Sequence, residues 1–84
     1  MVLNKNIAIS ESGFIFNPMT GDSFSANPVG KDILQWMREE KNADEIVLQL
    51  QQKYQVDAAV AEKDVYDFIQ MLKTYQLIHD DEQA

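Results

Sequence analysis

Residues 22–37 read DSFSANPVGKDILQWM, and this stretch decides the fold. It opens as a short strand, Asp22 to Ala26, in which polar and aromatic residues alternate. Asn27 then offers a side-chain oxygen to an otherwise unpaired amide of a first helical turn. Pro28 stands at the first helical position, where its missing N–H costs nothing and its fixed φ suits the helix. Ile33, Leu34, Trp36 and Met37 follow at helical spacing. One segment thus passes the chain from a β part to an α part, and its strand is a candidate free sheet edge.

Upstream of this junction the chain is rich in β-formers. Ile7-Ala8-Ile9 is one short run and Phe14-Ile15-Phe16 a second, with a turn across Ser10 to Gly13 between them. Asn17 to Asp22 carries turn chemistry, since Pro18 fixes φ and Gly21 permits a positive one. Three short strands joined by tight turns predict an antiparallel meander, with Asp22–Ala26 its weak outer strand. Phe14 and Phe16 share one side of their strand, which predicts that the pair is core.

Downstream the pattern is helical. The first helix is expected from Pro28 to Glu39 or Glu40. Asn42 with Glu45 three residues later forms a capping box ahead of Ile46, Val47 and Leu50, predicting a second helix that ends near Tyr54. Val56 reads as a core plug, and Asp57 as the cap of a short turn through Ala58 to Val60. A third helix continues to about Thr74 with Val65, Phe68, Ile69 and Leu72 as its inward stripe. Leu77-Ile78 can pack down or add a strand, and residues 79–84 read as an acidic, frayed tail. There is no internal repeat, low-complexity tract or linker. The expected architecture is one α+β domain over residues 1–84, its core about 7–78. It is winged-helix-like, a three-stranded antiparallel meander followed by three helices.

The chain has 84 residues, 45% of them apolar, and no cysteine. A chain of this length buries roughly 60–65% of its unfolded surface, leaving little room for a deep enzyme pocket. There is no disulfide framework or thiolate metal site. No signal peptide and no apolar run of membrane-spanning length is visible, so a cytoplasmic protein is expected. The formal net charge of −7 opposes nucleic acid and anionic membranes and favours peptide or protein partners.

Catalytic chemistry is hard to assemble from these residues. His79, the sole histidine, neighbours Asp80, Asp81 and Glu82, and reads as a solvated tail residue rather than a metal ligand. Without a second histidine or any cysteine, a Ser–His or Cys–His nucleophile pair has little to draw on. The carboxylate runs Glu39-Glu40 and Asp80–Glu82 read as surface charge, and Gly13, Gly21 and Gly30 form no phosphate loop. No catalytic residue, metal or cofactor is expected. Trp36 reads as an anchor of the first helix or the lining of a cleft. Tyr66, flanked by Lys63, Gln70 and Lys73, reads as a solvated face or one wall of a groove.

From Asn17 to Ile78 the sequence resembles the PqqD-like family, named for pyrroloquinoline quinone biosynthesis protein D. The likeness is carried by FIFNPMTGDSFSAN leading to a helix-starting Asn, by GKDILQWM, by ADEIVLQLQQKYQVD, and by the closing VYDFIQMLKTYQLI. The family often has Leu before that Asn, where this chain has Ala26, a smaller anchor. The resemblance implies a non-catalytic module of natural-product biosynthesis, a peptide chaperone. It would bind the leader of a ribosomally made precursor peptide and present it to a modifying enzyme, often a radical S-adenosylmethionine enzyme. In that family the leader adds as a strand beside the third strand, in a cleft flanked by the third helix. Carried onto this chain, Asp22, Ser23, Phe24 and Ser25 are the edge, with Ser23, Phe24 and Ser25 supplying backbone contacts. Val65, Tyr66, Ile69 and Lys73 are the helical wall. An exposed strand edge is physically suited to such a role, because an extended peptide satisfies its unpaired N–H and C=O groups. Phe24 is alternatively a core residue.

Two other classes compete. The topology permits a winged-helix nucleic-acid binder, although Lys63 and Lys73 stand among Glu62, Asp64 and Asp67 on the third helix. A docking subunit for a folded protein is the other. The chain is expected to be a monomer or a dimer formed through two edge strands.

Overall fold

The computed structural model describes residues 2–79. Three strands follow one another as expected: β2 (Ala8–Ile9), β3 (Phe14–Asn17) and β4 (Asp22–Ser25), in the antiparallel order β2-β3-β4. Three helices come next: α1 (Pro28–Arg38), α2 (Ala43–Tyr54) and α3 (Ala58–Thr74). The α+β class and the meander-then-helices order are those read from the sequence. A second, two-stranded sheet joins β1 (Val2–Leu3) to β5 (Ile78–His79), pairing Val2 with His79 and Leu3 with Ile78.

This clasp corrects the tail. His79 is a strand residue hydrogen-bonded to Asn4, not part of a frayed end. The remaining tail, residues 80–84, lies outside the described residues. Leu77 and Ile78 both pack down, being 0% and 7% exposed, and Ile78 begins the strand. A two-residue strand such as Val2–Leu3 carries too few residues for any periodicity, which is why the sequence did not announce it.

Both helix starts follow their caps. Asn27 Oδ1 accepts the Gly30 amide at 2.8 Å, with Pro28 in the first turn. The capping box at Asn42 is complete: Glu45 N–H donates to Asn42 Oδ1, and Asn42 N–H donates to Glu45 Oε1, each at 2.9 Å. Asp57, by contrast, makes no side-chain cap bond, and α3 runs unbroken from Ala58. Ile33, Leu34, Ile46, Leu50, Ala61, Val65 and Leu72 from the helices meet Ile15 from the sheet in one core.

The sheet faces the other way from the expectation. Ile15 and Asn17 are buried, whereas Phe14 and Phe16 are 46% and 38% exposed. In Phe-Ile-Phe-Asn the first three residues are apolar, so alternation alone favours neither face. Asn17 settles it. Its Oδ1 accepts the Met19 amide at 2.9 Å, shaping the turn, and its Nδ2 donates to the Tyr75 carbonyl at 3.4 Å beyond the end of α3. With Asn17 turned inward, Ile15 follows and both phenylalanines are set outward.

Candidate peptide-binding site

β4 has a strand partner on one side only among the described residues. The register pairs Ile15 with Phe24 and Phe14 with Ser25, and the Ala26 amide donates to the Gly13 carbonyl at 2.8 Å. In an antiparallel ladder the hydrogen-bonded pairs alternate. Phe24, like Ala26, therefore spends its backbone groups on β3, while Ser23 and Ser25 turn their N–H and C=O groups to the open side. The other side of the meander is consistent, since the Ser10 amide donates to the Phe14 carbonyl, away from β4. β2 is the opposite edge, but it is two residues long against four for β4.

The open edge borders an apolar groove. Phe24 turns toward α3, where its ring lies 4.5 Å from that of Tyr75 at 53°. A cavity of 260 Å³ opens between Phe24 and Ala26 on the strand side and Phe68 and Met71 on the helix side, with Ile15 at its base. Gly30 lets the helices close around it, because a Cβ there would stand 2.9 Å from the Phe68 ring and 3.2 Å from the Ala26 Cβ.

The structure brings only part of the sequence-derived set together. Ser23 and Ser25 lie on the open edge, Phe24 turns into the groove, and Asp22 is exposed at the strand start. On α3 the expectation is one position out of phase. Val65 is 0% and Ile69 6% exposed, so both are core. Tyr66 faces a depression shared with Val47, Leu48 and Gln51 of α2, and Lys73 is exposed and absent from the groove lining. The residues that do face β4 are Phe68, which the sequence placed in the buried stripe, and Met71, which it did not single out. The missed signal is the spacing of Phe68, Met71 and Tyr75, an i, i+3, i+7 row beside the core row of Val65, Ile69 and Leu72.

Charge is uneven around the groove. Asp64 and Asp67 stand on the α3 side near Asn27. Lys63 Nζ lies 2.7 Å from Asp67, whose hydrogen bond raises the lysine pKa. A separate cluster ties α1 to α2 away from the groove: Lys53 Nζ donates to Asp32 at 2.9 Å, and the Tyr54 hydroxyl donates to the other carboxylate oxygen. Burial alone would raise the Asp32 pKa, but the hydrogen bonds from Tyr54 and Lys53 outweigh it and hold the carboxyl below its ordinary value. Among the described residues, no group of three or more His, Asp or Glu side chains is placed to hold a metal, and no helix is long and apolar enough to cross a membrane.

The family model for coenzyme PQQ synthesis protein D matches residues 13–78. The chain belongs to this PqqD family. The match begins at Gly13, so it takes in β3, β4 and all three helices and leaves out β1 and β2. At Ala26, where the PqqD family often has Leu, the smaller side chain lines the groove, and the β4 register is fixed by the pairing of Ser25 with Phe14. Two solved structures resemble the PqqD-family chain. One is TbiB1 in complex with the TbiA(beta) leader peptide, with a TM-score of 0.86 and 26% identity, covering 95% of this chain and 100% of that one. The other is a lasso peptide synthetase B1 complexed with the leader peptide, with a TM-score of 0.77 and 20% identity, covering 87% and 89%. No curated protein sequence matches significantly.

Proposed function

We propose that this chain is a non-catalytic leader-peptide-binding module. An extended leader segment of a ribosomally made precursor adds as a strand on Ser23–Ser25 and is thereby presented to a modifying enzyme. The observation that carries this reading is the open backbone of Ser23 and Ser25 beside the groove of Phe24, Phe68 and Met71. The main-chain bonds supply affinity with little sequence preference, and the groove supplies selectivity for alternate side chains. The family match and the leader-bound TbiB1 structure support it. The partner enzyme is of the class that modifies such peptides, and the family resemblance points to a radical S-adenosylmethionine enzyme. The module itself uses no cofactor.

The test is affinity purification of the tagged chain from its native host, with mass spectrometry that retains small peptides. Recovery of a short precursor peptide, lost in a Ser25→Pro variant, is the expected result. Recovery of nucleic acid, or of a folded complex that covers β4 without any peptide, would refute the reading.

A further inference from the structure

The groove beside β4 does not stop where the strand stops. Past Asn27 a second cavity of 340 Å³ lies between the first turns of α1 and the middle of α3. The two cavities share Asn27, Phe68 and Met71, so they lie side by side as two halves of one grooved face, with Phe68 common to both. Its two halves differ chemically. Beside β4 the lining is uncharged, with Ser25 and Asn27 among Phe24, Ala26, Phe68 and Met71. Beyond Asn27 the α1 wall is Val29 and Ile33, while the α3 wall carries Asp64 and Asp67. No lysine or arginine lines either half.

We infer that a bound leader runs on from its added strand into this second half, where it places a lysine or arginine between the apolar α1 wall and Asp64 and Asp67. The inference deepens the proposed function and rests on it. Adjacency to the first cavity, through the shared Asn27, Phe68 and Met71, brings the peptide there, and the two carboxylates alone would be no more than solvated surface charge. A long cationic side chain suits both walls, since its methylene stem covers Val29 and Ile33 while its head reaches the carboxylates. Lys63 is no obstacle. Its pair with Asp67 is an exposed i,i+4 contact, with side chains 75% and 66% exposed, and such pairs are weak and readily exchanged.

The position of the cation is also set. Tyr75, past the C-terminus of α3, packs at a tilt against Phe24, whereas Asp64 lies at the Asn27 end. The subsite is therefore at the end of the added strand that overlies Asn27. On a leader added antiparallel to β4, the basic residue stands N-terminal to the segment paired with Ser23–Ser25. This separates the inference from a general attraction by the net charge of −7, which would favour bases anywhere along the peptide.

The experiment is selection from a random peptide display library on the full chain, repeated on Asp64→Lys/Asp67→Lys and on Ser25→Pro. The wild type is expected to enrich peptides with an alternating apolar core and Lys or Arg at one fixed flank. The double lysine variant should keep the core and enrich Asp or Glu at that flank. Asp64→Asn/Asp67→Asn, a milder change at exposed positions, should lose the preference without reversing it. A synthetic copy of a wild-type-selected peptide should bind the double lysine variant roughly ten-fold more weakly, and less so as salt rises. Peptides that depend on Ser25 but show no fixed basic flank, or the same flank in every variant, would overturn the subsite and leave leader binding standing. No enrichment on the wild type, or enrichment indifferent to Ser25→Pro, would overturn leader binding and the subsite together.

Discussion

Gly30→Ala isolates the groove from the rest of the fold. Gly30 is helical, so the new Cβ brings no backbone strain, and alanine gains up to about 1 kcal/mol of helix propensity. The Cβ would lie 2.9 Å from Cε1 of Phe68. Carbon atoms settle at about 3.5–4.0 Å, so the ring must retreat by roughly 0.6–1 Å. Overpacking of that size costs about 1–3 kcal/mol in a closed core. Phe68, however, is half-buried beside an open cavity and can yield. Stability should therefore change by only about 1 kcal/mol, while the displaced ring narrows the groove. Excluding one or two methylenes of a bound peptide, at about 0.8 kcal/mol each, weakens binding about four- to fifteen-fold. Fluorescence polarisation with the host-captured peptide, beside a urea titration, measures both quantities. Adding Phe68→Leu should restore part of the affinity, a coupling that a double-mutant cycle reads directly. Unchanged binding by Gly30→Ala, or a loss that Phe68→Leu does not relieve, would refute the argument that Gly30 sets the position of the groove wall.

Ser25→Pro should abolish peptide capture with little loss of fold, because the N–H it removes faces the open side of β4; Phe24→Pro breaks the ladder to β3 and should show clear destabilisation by urea titration. Asn17→Ala leaves the Met19 amide and the Tyr75 carbonyl without their side-chain partner, and should lower stability by about 1–3 kcal/mol in the same assay. Asn42→Ala removes the capping box of α2, at a cost of about 1 kcal/mol, visible as a lower urea midpoint. The Asp32 pKa is depressed in the folded chain, so its stabilisation is present above the unfolded value of about 3.9 and fades as pH falls through the lower folded value. Asp32→Asn should thus unfold more easily than wild type at neutral pH, with the gap closing in strong acid, as thermal unfolding across pH will show.

What could be read from the sequence was what local chemistry decides. Asn27 with Pro28 and Asn42 with Glu45 start their helices where the side chains can reach the first-turn amides. The turn residues divide the meander correctly. What could not be read depended on partners distant in sequence. Asn17 turns β3 over by reaching the carbonyl of Tyr75, a residue 58 positions away. The β1–β5 clasp joins the two ends of the described chain. On α3, the core row and the groove row differ by one residue of rotation, and both are apolar, so the sequence gives no contrast between them.

That lack of contrast follows from the task the groove is proposed to perform. A surface that awaits an apolar ligand must resemble a core in composition while lacking a layer to cover it, and Phe68 and Met71 are such residues. β4 is incomplete in the same sense, with backbone groups that have no ladder partner. The two gaps lie side by side, and one extended peptide fills both: its backbone pairs with Ser23 and Ser25, and its alternate side chains, those level with Phe24, enter the groove. The intervening side chains turn outward, to the side of Phe14 and Phe16 and away from the groove. Selectivity is therefore concentrated at every second leader position. Substitutions of the captured peptide should consequently alternate between strong and weak effects on affinity, and a uniform profile along the strand would contradict the pairing.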